Sequence, residues 1–433
     1  MNINFNPATE TVAYSEIQPN KVKNNHNNKL SKSAQRIFII DILRGFALSG
    51  VLLVHLAFSF SGWSFLNDDT AALLPFSFFD PIIEEVVKFF FSNKFRGIFS
   101  FLFGLSFSLQ IASYIQKGLP YKKIFYKRMA ILLMFGSIHA YFFWHGDILR
   151  WYVITGLILL WIHKWNSRRL LFFGIFLSTI IPIINETLKK VIDDTSVKFI
   201  TDSEFFSAMA GNSYFELLYA NFLWDFNQNF NPFYQISFVL VILGQFMLGL
   251  WVGKNKIFEN YNFFRPSFKR VLCLSLILGI GGTGIVLILK KLSAAELLYL
   301  PQFVQFGMEI PENVGILGLA SAYICGITLL HDKSFWKNKL SIFIPVGRMA
   351  LTNYIMQSVL CIFIFYGIGL GLIGQFSLIF IIPFWVLIFG FQIILSKWWL
   401  NNFHAGPLEW IWRSLMLNKF QPFLKEKTRK IST

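Results

Sequence analysis

The chain consists of long apolar runs joined by short polar connections. Ten runs carry few charges, and most approach the roughly 20 apolar residues that a helix needs to cross a bilayer core of about 30 Å. They lie near residues 37–62, 95–115, 129–145, 148–163, 169–186, 233–252, 271–289, 313–330, 349–373 and 376–396. A membrane β-barrel would show short alternating segments instead. The pattern therefore predicts an all-α, polytopic membrane bundle of about ten transmembrane helices.

Two segments depart from this pattern. The apolar stretch at 76–91 is interrupted by a proline and three acidic residues, which predicts a re-entrant or interfacial segment on the outer side. The segment 187–232 is partly aromatic and partly acidic, and it is too long for a simple connector. We expect it to be an outer loop that caps an outward cavity.

Composition agrees with a membrane protein and excludes an ordinary soluble domain. Of the 433 residues, 55% are hydrophobic and 14% are charged, whereas soluble domains have roughly 25% charged residues. The net charge of +16 is spread over the connections between apolar runs. A nucleic-acid-binding face would cluster this charge, so no nucleic-acid partner is predicted.

The positions of the basic residues predict the orientation. Most of the 39 Lys and Arg fall on one side of the bundle if the N-terminus is cytoplasmic, and most acidic residues fall on the other. The positive-inside rule then places both termini in the cytoplasm. The predicted organisation is a disordered polar tail at 1–36, a membrane domain at 37–415 and a basic tail at 416–433.

The first run contains three ionisable side chains in the stretch "DILRGFALSGVLLVH". On a helix of about 100° per residue, Asp41, Arg44 and His55 share one face, with His55 about 20 Å from Asp41. Ionisable groups at membrane depth are costly unless they face a cavity or a partner. This stripe indicates either a polar pathway or active-site cleft, or an interfacial ion pair with a buried structural histidine.

A second polar group lies at the outer end of the bundle, on the same side as His55. The stretch "HAYFFWHGDILRWYVITGLILL" contributes His139, His145 and Asp147, and Arg96 stands at the outer end of the second helix. The histidines and Asp147 either line a polar vestibule or act as helix caps and interface residues. Arg96 is either part of this vestibule or an anchor at the membrane interface. Their spacing matches no known metal pattern, so no metal site is predicted.

A third group starts the ninth helix, in "GRMALTNYIMQS". Arg348, Asn353 and Gln357 could bind an acceptor or a coenzyme phosphate from the cytoplasmic side. Alternatively, amides inside a membrane helix act as hydrogen-bonding links between helices.

These motifs resemble known families. Asp41, Arg44 and His55 have the spacing of the entrance signature of the acyltransferase-3 class, in which the His is implicated in transfer of an acyl group from a coenzyme A thioester. Together with "FRGIFSFLFGLSF", "HGDILRWYVITGLILL" and "GPLEWIWR", the chain closely resembles the YeiB-like family of bacterial membrane proteins (domain of unknown function 418) over about residues 36–415. That family is thought to be distantly related to the membrane acyltransferases, which include the heparan-acetylating enzyme of lysosomes. Its members often carry Asn where this chain has His55.

The resemblance implies a membrane acyltransferase in the bacterial cytoplasmic membrane, with acyl-coenzyme A as co-substrate and no tightly bound cofactor. His55 would be the general base or transient acyl carrier, while Asp41 and Arg44 would hold the entrance and the charge of the coenzyme. Arg96, His139, His145 and Asp147 would line the side of the acceptor, an envelope glycan, a lipid or a secreted metabolite. Two alternatives stay open: a small-solute transporter with His55 as proton relay, and a non-catalytic membrane partner of an envelope system.

Overall fold

The computed structural model describes residues 38–182, 198–229, 232–301, 304 and 307–425, and this part of the chain is helical without a named β-strand. The first helices are α1 (Phe38–His55), α2 (Asp68–Ala72), α3 (Asp80–Phe90), α4 (Lys94–Gln116), α5 (Tyr121–Phe142), α6 (Leu149–Ile162), α7 (Ser167–Thr179), α8 (Asp202–Ala210) and α9 (Tyr214–Asn229). They are followed by α10 (Pro232–Lys254), α11 (Tyr261–Ala294), α12 (Glu309–His331), α13 (Ser334–Leu340), α14 (Phe343–Arg348), α15 (Ala350–Phe365), α16 (Ile381–Asn402) and α17 (Pro407–Leu417).

The all-α prediction is confirmed, and a helix lies at each predicted apolar run. Among the described residues, six helical segments are long and apolar enough to cross a membrane. They are Phe38–Phe65, Ser77–Gln116, Gln235–Lys254, Tyr261–Ala294, Glu309–His331 and Leu378–Asn402. Helices α6 and α15 are apolar but shorter.

The interrupted run at 76–91 forms a short 3₁₀ turn followed by α3. Asp80, the first residue of α3, is buried and accepts hydrogen bonds from Trp63 Nε1 and from the backbone N–H of Leu378, both at 2.8 Å. This carboxylate therefore ties together three segments that are distant in sequence. Because its hydrogen bonds offset the cost of burial, an acidic residue is tolerated here.

The predicted outer loop at 187–232 is only partly described, since residues 183–197 and 230–231 lie outside the described ranges. The remainder contains α8 and α9. Helix α8 begins with a capping box, in which Thr201 and Glu204 satisfy each other's backbone N–H groups. The predicted tail at 1–36, and residues 426–433 of the predicted C-terminal tail, also lie outside the described residues.

Small residues bring the central helices together. A Cβ added at Gly104 of α4 would collide with the carbonyl of Phe246 in α10, and one at Gly249 of α10 would collide with that of Phe101 in α4. Close approach of backbones at glycine is typical of membrane helix packing. Helices α1, α5, α6 and α15 pack in the same core, which is the arrangement that positions the site below.

Candidate functional site

The connection between α5 and α6 is a tight turn that reverses the chain. The backbone N–H groups of Phe143 and Trp144 both donate to the carbonyl of His139, at 3.0 and 2.9 Å. A Cβ at Gly146 would overlap the ring of Trp144, so the turn closes over the indole only with glycine at this position. The turn buries Trp144 and brings the residues on either side of it into one place.

A series of three buried side chains crosses this turn. His139 Nδ1 lies 2.9 Å from Asp147 Oδ1, and His139 Nε2 lies 2.8 Å from Ser358 Oγ of α15. The side chains of His139 and Asp147 are both 0% exposed. The second carboxylate oxygen, Oδ2, accepts the backbone N–H of Arg150 at 3.0 Å in the first turn of α6. Asp147 therefore holds the first turn of α6 through a backbone N–H and also contacts His139.

This geometry suits one tautomer of His139. In it, Nδ1–H faces the carboxylate of Asp147 and Nε2 accepts from the hydroxyl of Ser358. Carboxylate, imidazole and hydroxyl in this order form the arrangement that activates a serine for acyl transfer.

Two further histidines lie next to this series. The ring of Trp144 is 4.5 Å from that of His55, 5.6 Å from His145 and 6.3 Å from His139, measured between centroids. We call His55, His139, His145 and Trp144 the histidine cluster. The structure thus brings together four of the predicted site residues, namely the three histidines and Asp147. Among the described residues, no group of three or more His, Cys, Asp or Glu is placed to hold a metal ion.

His55 stands where α1 changes its geometry. The helix continues as a π-helix over Leu56–Phe60, where the N–H of Ser61 donates to the carbonyl of Leu56 at 3.3 Å. Single-turn π segments are frequent at functional sites. Within the described residues, the His55 imidazole makes ring contacts with Trp144 and Phe60 but no hydrogen bond, so its nitrogens are not committed to structure.

The segment α8–α9 covers the histidine cluster. The ring of His145 lies 5.0 Å from Phe205 of α8 and 5.8 Å from Trp224 of α9. Arg150 of α6 donates to both carboxylate oxygens of Asp225 in α9, at 2.9 and 2.7 Å. The bidentate pair anchors α9 beside the histidine cluster.

The first two residues of the predicted stripe lie at the other end of α1. Arg44 Nη1 is 3.2 Å from Asp41 Oδ1, and Nη2 donates to the hydroxyl of Ser106 in α4. Asp41 is buried, while the Arg44 side chain is 28% exposed. The structure therefore does not bring Asp41 and Arg44 to His55, as the helical spacing already implied.

Asn353 and Gln357 take part in a network that links three helices. Asn353 Nδ2 donates to Ser396 Oγ at 3.0 Å, Gln357 Nε2 donates to Gln392 Oε1 at 3.0 Å and to the carbonyl of Leu48 at 3.2 Å, and Gln392 donates back to the carbonyl of Asn353. We call Asn353, Gln357, Gln392 and Ser396 the amide network. It matches the alternative expectation of hydrogen-bonding links between helices.

The two remaining candidates lie apart from the cluster. The guanidinium of Arg96 stacks over the ring of Phe238 in α10, 4.8 Å from its centroid. Arg348 ends α14, next to Gly347, where a Cβ would collide with the carbonyl of Asp41. Arg348 therefore lies near the Asp41–Arg44 pair.

Sequence reasoning missed Ser358, Trp144 and Asp225. The sequence around each of these residues gives no sign of a functional role, and their partners become visible only in the fold. The one usable signal for Ser358 was its place at the end of the "GRMALTNYIMQS" motif.

Comparison with known proteins identifies relatives that match 90–91% of the chain. The family described as "Protein of unknown function (DUF418)" matches residues 252–419. The chain is 29% identical over 416 residues to the uncharacterised protein YxaH of Bacillus subtilis, covering 90% of this chain and 97% of that protein. It is 27% identical over 400 residues to an uncharacterised 39.9 kDa protein of Bacillus acidopullulyticus encoded in the amylase 3′ region (91% of this chain, 97% of the other).

A third relative is YeiB of Escherichia coli, also uncharacterised, at 25% identity over 431 residues, covering 91% of this chain and all of that protein. No solved structure matches the chain. The names of these relatives record no activity. The resemblance drawn from the motifs is confirmed, since these matches support a YeiB-like DUF418 family of proteins of unknown function.

Proposed function

We propose that the protein is a membrane acyltransferase that moves an acyl group from acyl-coenzyme A to an envelope or secreted acceptor at the histidine cluster. The observation that carries the proposal is the hydrogen-bonded series Asp147–His139–Ser358, which lies beside His55 across Trp144. It supplies an oriented general base next to a second, uncommitted imidazole. Both are groups that acyl transfer to a hydroxyl or amine needs.

The proposal includes a topology. Ten helices cross the bacterial cytoplasmic membrane, and both termini lie in the cytoplasm. Asp41, Arg44 and Arg348 then lie at the cytoplasmic side, while the histidine cluster lies in the outer half under α8–α9. The orientation rests on the distribution of Lys and Arg between the connections.

In this arrangement Arg44 binds the donor. Its guanidinium is partly exposed and is held in place by Asp41 and Ser106, so its position is set in advance. A guanidinium suits the phosphates of coenzyme A because its planar donors can bind two oxygens at once. His55 acts at the opposite end of the same helix, where it takes the proton of the acceptor.

The first test is donor binding and turnover by the full-length protein in nanodiscs. We expect saturable binding of acetyl- and octanoyl-coenzyme A, and Arg44→Ala should weaken it about tenfold or more, since hydrogen bonds to charged groups contribute roughly 1.5–3 kcal/mol. We expect release of the coenzyme thiol when a bacterial envelope extract is added, and loss of this release in His55→Gln.

Matched variants keep the test specific. Arg270→Ala and His404→Gln change exposed residues of the same types and should leave binding and turnover unchanged. A folded protein that binds no acyl-coenzyme A would contradict the proposal. Solute flux into proteoliposomes that depends on His55 would then favour a transporter.

A further inference from the structure

We infer that Ser358 is the acyl carrier of the enzyme, so that transfer occurs in two steps through an acyl-serine ester. The inference rests on the proposed function and extends it, since the family resemblance implied His55 as general base or transient acyl carrier and gave Ser358 no role. Its starting point is the geometry of the Ser358 hydroxyl.

Ser358 differs from four other hydroxyls inside these helices. Ser106, Thr155, Ser178 and Thr328 each donate to the carbonyl of the residue four positions earlier. Such bonding is the ordinary way for a hydroxyl in an apolar helix to be satisfied. Within the described part of the chain, the Ser358 hydroxyl is bonded to His139 Nε2 instead. Its proton is therefore directed at a base.

The base is held from both sides. Asp147 binds Nδ1 of His139, and Asp147 is itself fixed by the backbone N–H of Arg150 and by its place in the turn. Asp147 is thus a positioning residue, which sets the tautomer of His139 and stabilises the imidazolium that forms when the serine loses its proton.

Trp144 supplies a donor without a partner. Its indole is 4% exposed, and Nε1 has no hydrogen-bond partner among the described residues. By contrast, the indoles of Trp63 and Trp385 donate to Asp80 and to the carbonyl of Ser49. A buried N–H left unbonded is costly, so an N–H beside His139 and His55 indicates an oxygen that arrives with a ligand. We assign it to the carbonyl oxygen of the acyl group.

The first step loads the serine. Ser358 Oγ attacks the thioester carbonyl while its proton passes to His139 Nε2, and the indole N–H of Trp144 stabilises the oxyanion. The C–S bond then breaks, the thiolate leaves, and the proton of His139 yields the free thiol of coenzyme A. The product is an ester between the acyl group and Ser358.

The second step unloads it. The acceptor hydroxyl or amine loses its proton to His55 and attacks the ester carbonyl. The C–O bond to Ser358 breaks, His139 Nε2 passes a proton taken up from water to Oγ, and His55 releases the acceptor's proton to water, so the step has no net proton change. No oxidant or other co-reactant is needed.

The position of Ser358 explains why a carrier is useful. Gln357 is bonded to the carbonyl of Leu48, which places this level of α15 against the middle of α1. Leu48 is about 6 Å along the α1 axis from Arg44 and about 10 Å from His55, at 1.5 Å per residue. An acyl group on Ser358 has therefore covered part of the path between a cytoplasmic donor and an outer acceptor.

A fluorophosphonate probe tests the serine independently of acyl donor and acceptor. We expect the full-length protein in nanodiscs to be labelled on the peptide that contains Ser358. Ser358→Ala should lose this label, and His139→Gln should slow labelling by roughly 10⁴-fold or more, as expected when a serine triad loses its base. Trp144→Phe keeps the ring and removes the donor, so labelling should slow by roughly 10²-fold. Ser396→Ala removes an equally buried serine and should leave the label intact.

Acyl loading completes the test. With octanoyl-coenzyme A and no acceptor, we expect a burst of about one thiol per chain and a hydroxylamine-sensitive acyl group on Ser358, both absent in Ser358→Ala. Folding of each variant is checked by its thermal transition in the nanodisc.

The outcomes separate the two proposals. Acyl transfer that continues in folded Ser358→Ala overturns the carrier and leaves the acyltransferase standing. If Ser358 is labelled by the fluorophosphonate but no acyl-coenzyme A is consumed, Ser358 is an activated serine and the proposal that acyl-coenzyme A is the donor is contradicted. If folded wild-type protein gains neither the fluorophosphonate label nor an acyl adduct, the proposal that Ser358 carries the acyl group is overturned.

Discussion

Helix α15 carries two buried polar networks that begin at neighbouring residues. Gln357 belongs to the amide network, which joins α15 to α1 and α16. Ser358 lies about 100° further around the helix and faces His139 and Asp147 of the α5–α6 connection. Both networks are inaccessible to solvent, since Asn353, Gln392 and His139 are each 0% exposed.

The difference lies in what the groups can exchange. Amides and hydroxyls such as Asn353, Gln357 and Ser396 donate and accept hydrogen bonds but do not titrate, so the amide network can only hold helices together. A carboxylate, an imidazole and a hydroxyl can pass a proton along one line. Burial and hydrogen bonding alone therefore do not mark a site. The chemical types in the network decide between a structural and a catalytic role.

The largest expected effect comes from Asp147→Asn. The amide cannot hold the proton on His139 Nδ1 in the same way, and the equivalent change in a serine triad lowers turnover by roughly 10⁴-fold. We expect fluorophosphonate labelling and acyl transfer to fall together by a factor of this order. Asp80→Asn is the matched control, because Asp80 is a buried aspartate bonded to Trp63 and Leu378 rather than to a histidine.

If Asp147→Asn and Asp80→Asn lose labelling and acyl transfer equally, the distinction between a catalytic and a structural network fails, since buried aspartates would then matter only for folding. Measuring labelling per folded molecule separates the two effects.

Gln357→Leu should have the opposite profile. It removes the bonds to Leu48 and Gln392 and leaves the Gln392 carbonyl oxygen buried without its donor, which costs about 1–3 kcal/mol. We expect a lower thermal transition and unchanged labelling of Ser358. The double change Gln357→Leu with Gln392→Leu should cost less than the sum of the single changes, because each single variant strands the other's partner. Loss of labelling at full stability would place Gln357 in the site.

The two networks were not equally accessible to sequence reasoning. The helices followed from apolar run length, and His55, His139, His145 and Asp147 stood out because ionisable residues are rare in such runs. Which of these side chains contact one another depends on helix packing and could not be predicted from the sequence. His139 and Asp147 are close in sequence, but Ser358 reaches them only because α15 packs against the α5–α6 turn.

Helix ends also differed from the ends of the apolar runs. The predicted run at 271–289 is the centre of α11, which extends from Tyr261 to Ala294 and takes in polar residues that the apolar pattern excluded. The predicted run at 349–373 ends earlier as a helix, at Phe365, because the chain from Tyr366 onward turns around Gly371 and Gly374 at positive φ. An apolar run thus predicts burial in lipid or protein better than it predicts helix length.

A smaller effect should come from the contact between α6 and α9. Asp225→Asn breaks the bidentate bond with Arg150 and changes no residue of the Asp147–His139–Ser358 series, although Arg150 Nε also lies 3.6 Å from Asp147 Oδ2. We expect faster hydrogen exchange in 202–229 and a reduction in acyl transfer of roughly tenfold, the size of one lost charge-assisted hydrogen bond. Labelling of Ser358 by the small probe should change less than acyl transfer. If both fall equally, the Arg150–Asp225 pair supports the serine itself rather than the covering segment.

The smallest effect concerns the start of α15, which supports both networks. Glu409 accepts the backbone N–H groups of Leu351 and Thr352 and the Thr352 hydroxyl, so a carboxylate caps the helix. Burial raises the pKa of Glu409 above its ordinary value of 4.5, against the lowering effect of these hydrogen bonds. Between 4.5 and the raised value, the folded state therefore binds more protons than the unfolded state.

Stability must then fall as pH rises through that window, because the folded state gives up its extra proton there. Glu409→Gln has no proton to lose and should flatten this part of the dependence, measured as the thermal transition of the nanodisc-bound protein at several pH values above 4.5. Glu409 holds the start of α15, which carries both networks. Adding Glu409→Gln should therefore shift the thermal transition of Gln357→Leu and that of Ser358→Ala by the same amount. If the thermal transition shifts in only one of these two variants, the cap supports only one face of α15. The amide network and the reactive serine would then be stabilised independently of each other.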